Sequence, residues 1–491
     1  MTLDGILGIA ASGIATTSQA IAVASDNVAN AGTTGYAREE ANQTELIGDG
    51  VGYGVRSGPA QRDLDTALQA ATFAQDSVVS GLTTRQSALA GIDAVQGTVG
   101  GGDDIASALG NLSGAFTTLQ TDPSNQTQQS AVISAAQTLA SRINAVGQAV
   151  STARQNAQND AVTTVASLNA DLTQVGALNK QIMSAQAGGQ STADLENQRD
   201  AVVANIAKIM PVTQISQNSG NVLLASGGIM LPTDGSTSFS LADATLGPGS
   251  AAPALKLGNT DVTAQVTSGQ LGADLTLRDS TLPGYQAGLD EFSHTLATRF
   301  DAQGLTLFTN AAGILPASTA APTQSGYIGF AQTITVNPVA ASDPSVVRDG
   351  LSGSTPAAGS GQAGDTTLIN KILTYAFGAQ QSAGVAQPAV PTTGLGATGT
   401  LSLPYTAPGT LAGFASAQVA AMSADASATS AALDSATAVQ TTLSNQLQTA
   451  SGVSIDSEMA KLVALQNAYA ANGKVITAVQ SMWDSVLAMV Q

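Results

Sequence analysis

The stretch LDGILGIAASGIATTSQAIAVASDNV, residues 3–28, carries apolar or small side chains in a strict 4-3 rhythm: Leu3, Leu7, Ala10, Ile14, Thr17, Ile21, Ala24, Val28. Seven-residue steps link Leu7, Ile14, Ile21 and Val28, which is the a/d seam of a coiled-coil helix. A seam this narrow has to be covered by another helix, and none follows directly. The same rhythm returns only at the far end of the chain, in Leu462, Leu465, Tyr469, Asn472, Ile476, Val479, Trp483, Val486 and Val490. The two end helices are expected to pack on each other or on copies of themselves. As each is amphipathic alone, the ends of an isolated chain are expected to be disordered.

Between the ends the pattern stays helical and then changes. Leu64, Leu68, Ala71, Val78, Leu82, Leu89 and Ile92 recur at helical spacing. Asp122-Pro123 reads as a helix N-cap with proline at the first helical position. Val132, Ala136, Leu139, Ile143, Val146, Val150, Ala153 and Ala157 follow; after a phase slip near Ala161 come Val165, Leu168, Leu172, Val175 and Ile182. Unbroken, Val132 to Ile182 would make a rod of roughly 75 Å. Gly188-Gly189 ends it, and one further helix precedes Pro211.

From Pro211 to Pro283, β-prone runs alternate with Asn-Ser-Gly and Ser-Gly-Gly turns, through LKLGNTDVTAQV and LGADLTLRD. Helix resumes with Leu289, Phe292, Leu296 and Phe300 on one face. Residues 305–409, rich in Gly, Ala, Pro and Thr, read as loosely structured insertions. The expected fold is therefore α+β and elongated, with discontinuous domains: coiled-coil-like terminal helices (1–60 with 451–491), a long α-helical bundle or rod (61–210 with 284–304 and 410–450), a mainly β domain (211–283), and the 305–409 insertion. Such a chain goes out and comes back, with its two ends together.

Composition narrows the function. The formal net charge over 491 residues is −18, a field that repels nucleic acid and anionic lipid headgroups. Only 10% of residues are charged and 3% aromatic, so small-residue packing dominates. Without cysteine there is no disulfide framework, thiolate zinc site or cysteine nucleophile. The first residues lack the basic start of a cleaved signal peptide, and no uninterrupted apolar span of about 20 residues is expected.

Catalytic constellations are sparse. His294, the single histidine, has no G-x-S-x-G elbow and reads as a helix-surface or core-edge residue. Asp103-Asp104 and Glu39-Glu40 are adjacent pairs, unlike opposed carboxylates about 5–10 Å apart, and read as solvated charge. GDGVGYGVRSG lacks the strand-before, helix-after setting of a dinucleotide loop; Val51, Tyr53 and Val55 read as a strand. No catalytic, cofactor-binding or metal-ligating residue is assigned. Asn472 is different: a polar residue on a seam costs stability but fixes register, as helices choosing partners in an assembly require.

Two motifs then stand out. Ser25-Asp26-Asn27-Val28-Ala29-Asn30 with Thr33, Gly35, Tyr36 and Arg38 resembles the N-terminal motif of the axial proteins of the bacterial flagellum, the rod, hook and hook-associated family. Gly32 departs from it, where Asn or Ser is commoner. Gln466, Tyr469, Ala471, Asn472, Val475 and Ile476 resemble the family's C-terminal Q-x-x-Y-x-A-N-x-x-V-I pattern. The long helices before DLENQRDAVVANIAKIMPVTQI resemble the hook-associated branch; the resemblance fades over 305–409.

What the resemblance implies is a structural junction between hook and filament, neither enzyme nor cofactor carrier, with a hook or distal-rod protein as the rival within the family and a secreted adhesin or surface-layer protein outside it. It implies paired terminal helices lining a tube, β domains outside, and extracellular placement after export without a cleaved signal. Its expected partners are hook protein, a second junction protein and copies of itself, with an export chaperone on the C-terminal helix; nucleic acid and membrane are not expected. The assembly residues would be Leu7, Ile14, Ile21, Asn27, Val28, Asn30, Gly35, Tyr36, Leu465, Tyr469, Asn472, Ile476, Val479 and Trp483. Gly32 would supply the left-handed residue that stops the first helix, and Asn27 and Asn30 would act as caps and inter-subunit hydrogen-bonding groups.

Overall fold

The structure, a computed structural model, describes residues 3–33, 35–48, 51–98, 100–317, 321–358 and 362–490; the side chains of residues 48, 51 and 490 lie outside that description, and with them the Val490 end of the seam. The first seam forms helix α1 (Leu3–Asn30), and the last forms a C-terminal helix (Ile455–Val490). They pack on each other. A Cβ on Gly13 would lie 2.9 Å from the Asn472 side chain, while beyond the end of α1 Arg38 N–H donates to Ser451 O at 2.8 Å. The pair is thus antiparallel, and both chain ends lie together. Each seam gives the other the cover that the isolated stripe lacks, so both helices form within one chain, contrary to the expectation of disordered ends.

The short antiparallel pair β1 (Glu39–Glu40) and β4 (Gln61–Arg62) brackets a hairpin of β2 (Gln43–Gly48) and β3 (Val51–Ser57). The hairpin lies on α1. Gly54 has φ +121°, and a Cβ there would sit 2.3 Å from Ser12 Oγ, which accepts a hydrogen bond from Val55 N–H at 3.2 Å. This second cover shifts the buried stripe of α1: Ala10, Thr16, Thr17, Ala20, Val23, Ala24 and Asn27 are buried, while Leu7, Ile14, Ile21 and Val28 are half-buried. By length and composition α1 is long and apolar enough to cross a membrane, a correction to the sequence reading. Its Ala, Ile and Val content makes it so although Ser, Thr and Gly interrupt the run.

The out-and-back rod consists of α2 (Thr66–Gln96), α3 (Ile105–Thr121), the 62-residue α4 (Gln126–Ala187), α5 (Ala193–Ile209) and a return helix (Leu411–Ser451) packed on α2 and α3. The N-cap of α4 is Asn125, whose Oδ1 accepts from Thr127 and Gln128 N–H; Asp122 instead closes α3, and Pro123 lies in the turn between. At about 1.5 Å per residue α4 is roughly 90 Å long. It runs through the phase slip without a break, and the slip falls where α4 passes between two cores. Val132 to Ala157 pack with α3, the helix over 282–301 and the return helix; Ala161 to Ile182 pack with α5 and the β lobe.

That lobe holds two small antiparallel sheets. One is β5 (Thr213–Ser216), β6 (Val222–Ser226) and β7 (Ile229–Leu231); the other pairs β8 (Phe239–Ser240), β9 (Lys256–Leu257) and β10 (Thr260–Asp261). Strand character stops earlier than the turn signals imply. LGADLTLRD is helical, in α6 (Gly269–Thr276), which runs through a π turn (Leu277–Thr281) into α7 (Leu282–Asp301). Leu271, Leu275 and Leu282 are buried at helical spacing, and that packing outweighs the local β preference. The π turn lets the helix continue past Pro283, which has no N–H to give.

The described residues of 305–409 form an ordered lobe, not loose insertions. Leu305, Leu307, Phe308, Phe330, Ile334, Val347, Ile369 and Ile372 are at most 3% exposed and join the core of α3, α4 and α7. Phe300 of α7 meets Phe116, Phe308 and Phe377 at ring distances of 6.0, 5.5 and 5.4 Å. The Gly- and Pro-rich texture reflects tight turns between widely spaced apolar anchors.

Candidate functional site: the corner joining the terminal helices to the rod

Four segments meet where α1 ends: residues 31–33 and 35–40, β4, the start of α5, and the junction of the return and C-terminal helices. Asn27 is fully buried. Its Nδ2 donates to Glu39 O at 2.8 Å, and its Oδ1 accepts from Glu39 N–H at 2.9 Å and Tyr36 Oη–H at 3.2 Å. Its polar atoms are thus engaged within its own chain, so Asn27 holds the corner from inside and is neither a helix cap nor an outward-reaching group. Asn30 donates to Asp26 O at 3.0 Å and receives Thr33 Oγ1 at 3.3 Å, which finishes the last turn. The left-handed residue is Gly35, with φ +80°; Gly32 keeps a negative φ.

The next layer couples the corner to the rod. Asn197 donates to Glu39 Oε1 at 3.3 Å and accepts from Ala37 N–H, also at 3.3 Å. Arg62 spreads its guanidinium over Glu196 (2.9 Å), Asn197 (3.2 Å) and Asp200 (2.8 Å), and Gln69 of α2 reaches Asp200 at 2.8 Å. Arg38 pairs with Asp63, and Ser451 takes Asp65 N–H on Oγ at 2.8 Å. The SDNVAN and G-Y-x-R motif is therefore a joint that sets the direction in which the chain leaves α1.

Glu39 corrects the reading of Glu39-Glu40 as solvated charge: it is 5% exposed, while Glu40 is exposed. Burial first, then the neighbouring Asp194 carboxyl, push it up to about 7, against the opposing pull of Arg62. Asp104 likewise is buried and caps α3 through Ser107 N–H. Because the folded chain holds the Glu39 proton more tightly than the unfolded chain, this stabilisation is complete below about pH 4.5 and is lost as pH rises through about 7. Glu39→Gln keeps a neutral acceptor in place. It is expected to add about 1–3 kcal/mol at pH 8 and little at pH 4, as read by urea unfolding at the two pH values.

The remaining expected assembly residues lie on the helix pair. Leu465, Asn472 and Ile476 are half-buried against α1, and Val479 is 2% exposed. Tyr469 and Trp483 are 44% and 39% exposed, at the edge of the pair. Sequence reasoning missed Arg62, Asn197, Asp200 and Ser451; the grouping of Glu196, Asn197 and Asp200 within one turn of DLENQRD was the available signal. His294 stacks on Tyr327 at 3.9 Å and 6°, at the edge of the core. Among the described residues no group of three or more His, Cys, Asp or Glu could hold a metal ion.

A long-helix rod closed by two mutually paired terminal helices, with the two end motifs at one corner, defines a class. The family model described as the flagellar hook-associated protein FlgK helical domain matches residues 90–313, the flagella basal body rod protein model matches 7–36, and the flagellar basal body rod FlgEFG protein C-terminal model matches 445–489. All three models describe flagellar rod, hook and hook-associated axial proteins, and the chain is similar to that family at both ends and over its helical middle. Within that family it is similar to flagellar hook-associated protein 1. It is 29% identical to that protein of Salmonella typhimurium over 322 residues, covering 61% of this chain and 56% of the relative. With the Bacillus subtilis protein of the same name it shares 24% over 221 residues, covering 42% and 43%. The chain thus spans about half the length of the curated relatives it matches. A solved structure, the flagellar hook junction protein FlgK from Burkholderia pseudomallei, aligns at TM-score 0.42 and 27% identity over 51% of this chain and 46% of that one.

Proposed function

We propose that this chain is a structural adaptor joining the flagellar hook to the filament, required for filament assembly and acting without making or breaking a bond. The observation that carries this reading is the C-terminal helix. Among its described side chains only Glu458 and Val479 are buried, while Val475, Met482, Trp483, Val486, Leu487 and Met489 stand exposed beside the α1 contact. Apolar surface on that scale calls for neighbours, and a tube of packed terminal helices supplies them. The partners are hook protein below, a second junction protein above, and copies of this chain alongside, with Leu7, Ile14, Ile21 and Val28 offering their half-buried edges. In this role the chain acts outside the cell, as part of the flagellum. The 62-residue α4, which lies within the span matched by the FlgK helical-domain model, favours this role over a hook or distal-rod protein.

A deletion strain viewed by electron microscopy tests the role. Complete hooks without filaments, with filament protein lost to the medium, are expected; missing hooks would overturn the proposal in favour of the hook or rod reading. Before assembly the C-terminal helix, in the region of Tyr469 to Val490, is the chaperone-binding segment. The double substitution Ile476→Asp with Val479→Asp is expected to abolish chaperone capture in a pull-down, and undiminished capture would reject that assignment.

A further inference from the structure

A groove of about 800 Å³ runs between α2 and α4, floored by α6 and the π turn that follows it. Its floor holds Asp274, a carboxylate 1% exposed whose Oδ2 has no hydrogen-bond partner. Burial and then the nearby Asp160 push Asp274 up to about 8, against a smaller lowering by Arg278. A buried carboxylate oxygen left without a donor is costly, and one that lines an open groove is relieved when a donor enters it. The walls combine polar and apolar character: Ser80 and Thr84 on α2 and Asn156 on α4 alternate with Val79, Ala153 and Leu277.

We propose that this groove binds a small alkyl-ammonium ligand, a diamine or polyamine, whose ammonium sits between Asp274 and Asp160 and whose methylene chain lies on Val79, Ala153 and Leu277. An ammonium brings three N–H donors, which suit two carboxylates and an amide oxygen such as that of Asn156. A divalent ion asks for six or more oxygens in a cage, and among the described residues no third metal-ligating side chain joins the pair. Asp76 on α2, which also lines the groove, offers a further carboxylate for the other end of a diamine; it also accepts a hydrogen bond from Gln440 at 2.6 Å. Asp160 from α4 and Arg278 from the π turn act on Asp274, and Asp76 from α2 and Lys208 from the end of α5 are the other charged groups that line the groove.

Isothermal titration of the full chain with 1,4-diaminobutane at fixed ionic strength tests the proposal. Saturable binding is expected, weakened at least tenfold by Asp160→Asn and by Asp274→Asn. Affinity should rise from pH 6.5 to pH 9, because Asp274 gives up its proton on binding. Asp160 is exposed, so its variant folds normally and decides the matter even if Asp274→Asn is unstable. Absence of saturable heat in the unaltered chain, unchanged affinity in Asp160→Asn, or tighter binding of calcium chloride than of the diamine would each overturn the assignment.

Discussion

Arg62→Ala is expected to cost about 3–5 kcal/mol and to disconnect the terminal helices from the rod. The Arg62 side chain is 10% exposed and is the cation facing Glu196 and Asp200, the latter 4% exposed. Its removal takes the ion-pair partner from half-buried Glu196 and buried Asp200, leaving Arg199 as their nearby cation, and takes a donor from Asn197, which in turn supports Glu39 and the Asn27 clamp. Lysine does not restore the arrangement, since Nε and Nη1 of one planar group serve different partners and a single ammonium has no such fork. Arg62→Lys should therefore recover less than half of the loss. Hydrogen exchange of residues 5–30 reads the effect: protection is lost there in Arg62→Ala but retained in α4. A loss below 1 kcal/mol, with exchange unchanged, would show that the corner is held by something else.

Phe300→Ala should be comparably damaging, by about 3–5 kcal/mol, at the other end of the rod. The ring is fully buried and contacts Phe116 of α3 and Phe308 and Phe377 of the 305–409 lobe, the latter two nearly edge-on at interplanar angles of 90° and 79°. In a chain that is only 3% aromatic, no neighbouring large ring is free to fill the space. Because α4 divides its buried face between two cores, the loss should fall on the first. In urea unfolding with site-specific exchange, residues 132–157 lose protection at lower denaturant than in the unaltered chain, while 161–182 stay close to it. Equal loss in both halves would mean that the two cores unfold as one.

The parts legible in the sequence are those where one periodicity rules a long stretch. The seams of α1 and the C-terminal helix, and the run from Val132 to Ile182, announce themselves because each repeats one buried face many times. Even the slip near Ala161 was visible, although its cause, the passage of α4 from one core to the next, belongs to tertiary structure. Short segments were less legible: Leu271 and Leu275 fit a strand as well as one helical turn, and only their burial on α2, α4 and α5 decides. The 305–409 lobe was hidden because its apolar anchors are far apart and lack a shared period. At the corner, Asn27, Gly35 and Tyr36 could be found from their motif, whereas Arg62, Asn197 and Asp200 come from segments about 135 residues apart and meet only in three dimensions. Burial likewise gave Glu39 a different character from its neighbour Glu40.

The central claim, that this chain occupies the boundary between hook and filament, is most directly tested by immunogold labelling of intact flagella with an antibody raised against the 305–409 lobe. A single narrow band of gold at the hook–filament boundary is the predicted result. Label spread along the hook, or confined to the base of the flagellum, would contradict it.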